Sequence, residues 1–487
     1  MPTVLVKNGL VYDGSGEPPK KADILVRRGR IVRLGSFPKK EADVLLDAAG
    51  GIVVPGFIDI NSDFDHRLEI LNDPTGEKLV MAGITTVLGG NCGSSLFPVF
   101  GISMLSLRKW GDISKINVGW RGISDFLKTI ERRSLGVNFG TLVGHGTVRR
   151  GLLGEDARDL TDRETAAMIK IVEESLVQGA FGISFGLDYA HAKMTPFKEI
   201  SELCRLAAAK NRVVSIHLRD YTEGLIPAVE ETIKLGKETE AKVEISHLEP
   251  VLGFRNNYVR AKETIEAETA GTHVHFDCNI EGVIKIPIYQ LLPPTVKRGN
   301  LDTMNDSLRE SRLEKGILDH LKKVSVDEII IFSAPPPLGF LNGRTLDDFA
   351  ISHELRKEEA ILRLMRLSHL RAVVLLRNVD DKMAAEFAAS PSSFVSSGAT
   401  GKYEAFTNFL RAASGIGIPL EKAVQKATGG PAEKFGIKNR GLIKENYFAD
   451  LVVLRDFKPR DVVINGKVAL MDGNFKPVAS GSVLRAG

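Results

Sequence analysis

The sequence of 487 residues predicts an α/β protein made of a (β/α)8 TIM-like barrel, a small β-sandwich domain built from both termini, and an inserted subdomain. Two observations support this fold class. Strand and helix patterns alternate through the middle of the chain, which predicts a parallel sheet, and the length of that stretch favours a closed barrel over an open sheet. Both ends carry strand patterns instead. We expect the sandwich at 1–55 and 441–487 and the barrel at 56–440.

The two ends show the same strand-and-turn pattern. Near the start, TVLVKNGLVYDG and ADILVRRGRIVRLG alternate aliphatic and polar residues, and glycines mark the reversals. Near the end, PRDVVINGKVAL repeats the pattern, and Asn465-Gly466 is a strong hairpin signal. The matching patterns favour one sheet domain assembled from both termini.

The middle of the chain repeats a helix followed by a strand. One helix begins with a capping box from Thr161 to Glu164, ends near Gly179, and leads directly into the strand AFGIS. Two later repeats end in the strands VVSIH and VEISH. Residues 283–345 break this rhythm with prolines and turn residues around one helical stretch, so we expect an inserted subdomain or lid beside the barrel mouth.

Composition excludes several classes of partner. Lys and Arg number 65 against 61 Asp and Glu, a net charge of +4 without a long basic run, so nucleic acid is not an expected partner and a small-molecule substrate is. The opening MPTVLVKNGLVYDG alternates like a strand, so we expect no signal peptide. No apolar run approaches the ~20 residues of a membrane span. Three widely spaced cysteines favour a reducing, cytoplasmic location. The sequence does not define the oligomeric state.

Two histidines and a cysteine form a candidate metal site. His217 and His247 each end a strand, and the barrel geometry places both at the carboxyl-terminal mouth. Cys92 follows the strand ITTVL in a glycine-rich turn. Three protein ligands leave a position open for water, as in a catalytic zinc site. Alternatively, each histidine caps its strand by hydrogen bonding, and Cys92 is a small buried residue in a turn.

Other histidines and one aspartate are weaker candidates. His145 ends a strand-like segment and either lines the pocket or serves as a hydrogen-bonded structural residue. His273 and His275 form a His-X-His pair on one face of a strand, with Asp277 on the same face. Because the pair precedes the carboxyl-terminal end of its strand, it is a less natural site. His66 is a possible displaced ligand in the loop after the first barrel strand.

The chain resembles the amidohydrolase superfamily, and within it the N-acyl-D-amino-acid deacylases, or D-aminoacylases. The motifs that carry the resemblance run in order along nearly the whole chain: VKNGLVYDGSG, VVPGFIDINSD, AGITTVLGGNCGSSLFP, VGHGTVRRGLLG, QGAFGISFGLDY, SIHLRDY, EISHLEP, GKYEAFTNFLR and RGLIKENYFADLVVL. The resemblance implies a barrel, a small sheet domain from both termini and a mobile insertion. It also implies that Cys92, His217 and His247 hold one tightly bound zinc ion.

Several positions depart from the pattern of the family. The paired histidines that would hold a second metal ion fall on Asn61 and Asp63, so a second site is doubtful, and Asp63 is the remaining oxygen ligand or catalytic group. The aspartate that acts as general base falls on Ser397. A serine does not accept a proton at neutral pH, and losing general-base help typically costs about 10²- to 10⁴-fold in rate.

The substrate-binding positions have changed as well. The arginine of the family that helps to hold the substrate carboxylate aligns with Lys402, which offers a point charge in place of a bidentate fork. A family lysine after the second metal histidine is Glu249 here, and the positive charge has become negative. Arg219 and His145 match the family as substrate-binding residues, although an Arg-Asp pair such as Arg219-Asp220 is equally often structural.

Two functional hypotheses follow. The first is a zinc-dependent hydrolase of a linear amide C–N bond, similar to the N-acyl-D-amino-acid deacylases but with an altered site. The second is an inactive homologue that serves as a binding or assembly protein. A third hypothesis is a barrel enzyme that uses Asp63 and Asp277 as acid and base without a metal.

Overall fold

The amino-terminal segment is a β-rich unit. A computed structural model of the chain describes residues 1–156, 158–269, 273–324 and 328–487. The first five strands are β1 (Val4–Val11), β2 (Lys20–Arg27), β3 (Arg30–Gly35), β4 (Val44–Asp47) and β5 (Ile52–Pro55). β1 pairs antiparallel with β2, and β2 with β3, whereas β4 and β5 both lie parallel to β1.

Residues 57 to 278 alternate strands and helices. The strands are β6 (Phe57–Asp59), β7 (Ile84–Gly89), β8 (Asn138–Thr141), β9 (Val143–Gly144), β10 (Gly182–Gly186), β11 (Val213–His217), β12 (Lys242–Ile245) and β13 (Val274–Cys278). The helices are α1 (Glu69–Asn72), α2 (Glu77–Met81), α3 (Ile123–Glu131), α4 (His145–Leu153), α5 (Asp162–Val177), α6 (Phe197–Ala209), α7 (Leu225–Thr239) and α8 (Arg255–Thr269). The predicted capping box is confirmed, because Thr161 and Glu164 cap α5 reciprocally.

The next segment interrupts this alternation. It contains β14 (Ile284–Pro287), α9 (Leu301–Arg309), α10 (Ser311–Leu321), β15 (Glu328–Ser333), α11 (Leu346–Ser352), α12 (Lys357–Leu367) and β16 (Val373–Arg377). The strands form an antiparallel sheet in the order β14-β16-β15. Its central strand, β16, lies beyond residue 345, outside the stretch 283–345 for which the sequence predicts an insertion.

The carboxyl-terminal segment completes both the parallel strands and the terminal sheet. Its elements are α13 (Asp381–Ala389), β17 (Ser393–Val395), α14 (Ala405–Ala412), α15 (Leu420–Ala427), α16 (Gly429–Phe435), β18 (Leu451–Arg455), β19 (Lys458–Ile464), β20 (Lys467–Met471) and β21 (Asn474–Phe475). β18 pairs antiparallel with β5, so strands from both ends of the chain share one sheet of nine strands.

The parallel strands position the candidate site. Six of them form a sheet in the order β17-β13-β12-β11-β10-β9, and three more form the order β6-β7-β8. All the pairs within these two sheets are parallel, which confirms the α/β class. Parallel strands share one carboxyl-terminal edge, where ligands bind in such folds. In the described part of the chain, no helix is both long enough and apolar enough to cross a bilayer.

Candidate functional site

Cys92, His217 and His247 come together at the carboxyl-terminal edge of the parallel strands. Cys92 Sγ lies 3.2 Å from His247 Nε2 and 3.9 Å from His217 Nδ1, and one ligand atom from each residue falls within 4.8 Å of the others. His217 is the last residue of β11, whereas His247 follows β12 and Cys92 follows β7. The sequence predicted this convergence from the strand ends.

The loop that carries Cys92 depends on glycine. Cys92 itself has a φ of 52°, in the left-handed region, and Gly93 follows at 71°. A Cβ atom at Gly93 would lie 2.7 Å from the backbone nitrogen of Gly186, closer than packed atoms approach. The glycine therefore lets the loop lie against β10 and bring the thiol to the two imidazoles.

Burial controls the protonation of the three side chains. Desolvation lowers the pKa of His217 well below its ordinary value and that of His247 to about 3, so both rings are neutral at pH 7. Desolvation also raises the pKa of the Cys92 thiol to about 12. Two neutral imidazoles and one sulfur fit the preferences of zinc, which binds nitrogen and thiolate ligands. The donor set is therefore chemically suited to that ion.

A second group of possible ligands adjoins the first through His247. Ligand atoms of His247, Glu249 and Asp277 lie within 4.8 Å of one another. Burial raises the pKa of Asp277 to about 6 and that of Glu249 well above its ordinary value. Asn61 Nδ2 donates to Asp277 Oδ2 at 3.0 Å and lies 3.3 Å from His247 Nε2. The sequence analysis noted Glu249 only because it replaces a lysine of the family. The structure places its carboxyl group beside His247.

Asp63 lies in a buried ion pair. Its carboxylate accepts a hydrogen bond from Lys285 Nζ at 2.9 Å and another from the Tyr403 hydroxyl at 3.3 Å. Burial alone would raise the pKa of Asp63, but the charges of Lys285 and Arg67 outweigh it and hold the pKa below the ordinary value. The catalytic role predicted for Asp63 stays a prediction, and the observed partner of its carboxylate is a lysine.

Lys285 is a site residue that the sequence analysis missed. It lies on β14, the first strand of the insertion, and its ammonium lies about 5 Å from the ring centres of Trp110 and Phe332. The sequence contains no local signal for it, because Lys285 and Asp63 are 222 residues apart. β14 thus contributes a cation to the candidate site.

Ser397 is hydrogen-bonded to the carboxyl group of Asp59. The resemblance to the deacylases implies a general base at the position of Ser397. Its hydroxyl donates to Asp59 Oδ2 at 2.7 Å, and its backbone N–H donates to Asp59 Oδ1 at 3.1 Å. Burial raises the pKa of Asp59 to about 6, and these hydrogen bonds oppose the rise. The site therefore keeps a buried carboxyl group next to the substituted position.

The three residues predicted to bind substrate either bond to other groups of the protein or do not line the cavity at His217. Arg219 donates four of its five N–H groups to the Glu231 carboxylate and to the carbonyls of Lys193 and Thr195. His145 is fully buried and bonds to Glu199 at 2.7 Å. Lys402 follows β17 and is not among the described residues that line the cavity at His217. The roles proposed for these three residues stay predictions.

A cavity of about 240 Å³ opens onto the imidazoles. His217 and His247 line its floor, while Lys285 and Lys297 come from the insertion. Apolar side chains, among them Val251, Ile284, Ile286 and Leu376, cover much of the wall. Such a mixture of apolar walls and a few convergent polar groups is typical of small-molecule sites.

The remaining candidate histidines lie elsewhere. His66 is buried and its Nε2 bonds to the Ser94 carbonyl at 2.9 Å. His273 and His275 lie at the amino-terminal edge of the strands, where they line a separate cavity. They are therefore not part of the Cys92 site.

Comparison with known proteins agrees with this geometry. A model of the amidohydrolase family matches residues 380–469. D-aminoacylase from Alcaligenes xylosoxydans xylosoxydans is 31% identical over 465 residues, which cover 92% of this chain and 87% of that protein. A solved D-aminoacylase with a binuclear metal centre aligns with a TM-score of 0.81 at 25% identity, over 99% of both chains.

A second solved structure shows the same fold. The N-acyl-D-glutamate deacylase from Bordetella bronchiseptica, in complex with zinc and a phosphonate inhibitor that mimics the tetrahedral intermediate, aligns with a TM-score of 0.81 at 24% identity. The alignment covers 99% of both chains.

Proposed function

Because this chain belongs to the D-aminoacylase family of amidohydrolases, we propose that it is a metal-dependent hydrolase of the linear amide C–N bond of an N-acyl amino acid, with D-configured substrates preferred. The convergence of Cys92 Sγ with the ring nitrogens of His217 and His247 carries this proposal. The three side chains come from separate segments, since Cys92 follows β7, His217 ends β11 and His247 follows β12.

We propose that Cys92, His217 and His247 hold one zinc ion. The ion would supply Lewis acidity to the substrate carbonyl and to the attacking water. A second ion is disfavoured because Asn61 is a weak ligand and the Asp63 carboxylate is already neutralised by Lys285. The related D-aminoacylase with a binuclear centre is described by one-metal activation and second-metal attenuation, so a single ion is compatible with activity in this family.

The residues of the chain would bind and orient the substrate around that ion. Lys285 and Lys297 are the lysines among the described residues lining the cavity, and we assign the substrate carboxylate to them. The apolar walls suit the acyl group. Asp277, beside His247 and hydrogen-bonded to Asn61, is the carboxyl group placed to take a proton as the water attacks, since Ser397 is unable to do so.

We also propose the domain organisation that frames this site. A single residue separates β8 from β9, and the N–H of Ala399 after β17 donates to the carbonyl of Asn61 after β6 at 3.0 Å. These links support the closure of eight parallel strands into a (β/α)8 barrel over 56–440. Residues 1–55 and 441–487 would form the β-sandwich, and the insertion would run from about 283 to Arg377.

The substitutions favour one alternative function. Asn61 and Ser397 stand where the family has a metal ligand and a general base, and Ser397 is firmly bound to Asp59. An inactive homologue that binds N-acyl amino acids or a protein partner would retain the cavity without turnover.

Hydrolysis assays separate the two proposals. We would load the protein with zinc and measure the release of free amino acid from N-acetyl-D- and N-acetyl-L-amino acids. The matched pair of variants is Cys92→Ala and Cys204→Ala, since Cys204 is equally buried but lies on α6 outside the site. Saturable hydrolysis that is lost in Cys92→Ala and kept in Cys204→Ala supports the enzyme. Binding of these compounds without hydrolysis by the zinc-loaded wild type supports the inactive homologue.

A further inference from the structure

A larger cavity lies at the opposite end of the parallel strands. It has a volume of about 740 Å³ and is lined by residues at the amino-terminal starts of the strands: Lys242 begins β12, His273 precedes β13 and Ser393 begins β17. His217 and His247, in contrast, lie at the carboxyl ends of β11 and β12. The cavity is thus separate from the candidate metal site.

The lining of this cavity is strongly basic. Four lysines line it, namely Lys242, Lys422, Lys426 and Lys434, together with His273 and His275. Glu433 is the one carboxyl group among the described lining residues. Within the described ranges, none of the four ammonium groups has a carboxylate oxygen within 4.0 Å. A cavity with this excess of positive charge attracts anions.

Two of these ammonium groups are buried without a counter-ion. Lys434 is 8% exposed, and its Nζ donates to the His273 carbonyl and lies 3.0 Å from His275 Nδ1. Lys426 is largely buried, and its Nζ donates to the carbonyls of Ser390 and Ser393 and to the Ser393 hydroxyl. Neutral oxygens satisfy these hydrogen bonds, and the carboxyl groups that act on the two lysines, Glu266 on Lys426 and Glu244 on Lys434, lie beyond ion-pair distance, so both charges are only weakly compensated.

The buried acid that acts on Lys434 is Glu244, on β12. Both of its carboxyl oxygens are buried without a hydrogen-bond partner among the described residues. Burial raises its pKa well above the ordinary value and so favours the neutral form of this carboxyl group. Desolvation also lowers the pKa of Lys434 and of Lys426 to about 8, which leaves most of both groups charged at pH 7.

We propose that this cavity binds a phosphate group, either free or as the monoester of a small molecule, between the four lysines. A phosphate dianion would compensate the buried ammonium groups, and lysine is a natural point-charge partner for it. The His275 ring stacks on Phe394 with centroids 5.1 Å apart and gives one wall a flat, rigid surface. The volume exceeds that of inorganic phosphate and leaves room for the rest of a monoester. The site is independent of amide hydrolysis.

Calorimetry tests this proposal on the full chain. We would titrate inorganic phosphate, and separately glycerol 2-phosphate, at a constant ionic strength set with sodium chloride. The variants are Lys434→Met and Lys422→Met, and the matched control is Lys198→Met, an exposed lysine on α6 outside the cavity. Lys422 is exposed and forms no ion pair among the residues that the structure describes, so its variant stays informative if Lys434→Met fails to fold.

The possible outcomes differ in how tightly the wild type and the variants bind phosphate. The proposal predicts saturable binding of one phosphate per chain, weakened about tenfold or more in both cavity variants and unchanged in Lys198→Met, as expected for losing a charge-assisted contact. Tighter binding of the monoester identifies a phosphorylated molecule as the ligand, and equal binding identifies free phosphate. Absence of saturable binding by the wild type, or an equal effect of Lys422→Met and Lys198→Met, would overturn it.

Discussion

Lys285 Nζ lies 2.9 Å from Asp63 Oδ2, and their side chains are 4% and 0% exposed. This ion pair joins the first strand of the insertion to the loop after the first parallel strand of the barrel region. It places a fixed ammonium group at the mouth of the cavity and neutralises the carboxylate that is otherwise available to a second metal ion. The position of β14 therefore determines which charges the candidate site contains.

The first prediction concerns this ion pair. Lys285→Met removes the nearer of two cations beside a fully buried carboxylate; because Arg67 remains at 4.0 Å, the loss should lie at the lower end of the about 3–5 kcal/mol that breaking a buried pair typically costs. We expect the free energy of unfolding, measured by urea titration, to fall by that amount.

The double variant Lys285→Met/Asp63→Leu is the control for the pairing itself. Replacing both partners by apolar side chains removes the unpaired carboxylate, and Arg67, which lies 4.0 Å from Asp63, keeps its ion pair with Glu69 at 2.7 Å, so much of the stability should return. If the double variant is as unstable as the sum of its two single variants, the pair is not coupled and this interpretation is wrong.

The second prediction concerns protons released on metal binding. Burial holds the pKa of Cys92 at about 12, while His217 and His247 are already neutral at pH 7. Zinc binds the thiolate, so binding should release about one proton, and the apparent affinity should rise about tenfold per pH unit between pH 6 and 8. Calorimetry in buffers of different ionisation enthalpy measures the released protons.

Cys92→Asp is the comparison variant for proton release. A carboxyl group ionises at a much lower pH than the buried Cys92 thiol, so the zinc affinity of this variant should depend less on pH and its proton release should fall below one. Equal proton release by Cys92→Asp and the wild type would show that the proton does not come from Cys92.

The third prediction concerns the missing general base. Ser397→Asp places a carboxyl group where the resemblance to the D-aminoacylases implies a general base, next to the buried Asp59 carboxyl that now accepts a hydrogen bond from the Ser397 hydroxyl at 2.7 Å. General-base help is worth about 10²- to 10⁴-fold, so we expect kcat/KM for amide hydrolysis to rise within that range.

Ser397→Asn is the matched control, because asparagine has nearly the same shape as aspartate and is not a base. It should show no gain over the wild type. Equal rates for Ser397→Asp and Ser397→Asn would place the limiting defect elsewhere, most directly at Asn61.

The sequence predicted the parts of the site that lie on regular elements. His217 ends β11 and His247 follows β12, two consecutive strands of a helix-strand repeat, so their common edge followed from strand polarity alone. The pairing of β5 with β18 likewise followed from the matching patterns at the two ends.

The sequence pattern did not predict the contacts between distant segments. Lys285 reaches Asp63 across 222 residues, and Ser397 reaches Asp59 across 338, so local periodicity carries no trace of either contact. The partners of Arg219 were hidden for a related reason: SIHLRDY shows a charged residue after a strand but not the Glu231 carboxylate on α7 that pairs with it. The antiparallel pairing of β16 with β14 and β15 was not predicted, because a buried antiparallel strand and a buried parallel strand show the same apolar run.

The most direct test of the central claim is the metal content of the protein purified without added metal, measured by elemental analysis for the wild type and for Cys92→Ala/His217→Ala. We predict about one zinc ion per wild-type chain and none in the variant, with both proteins folded by circular dichroism. A wild type that holds no metal even after incubation with zinc, or a variant that retains its zinc, would contradict the assignment of Cys92, His217 and His247 as the metal site.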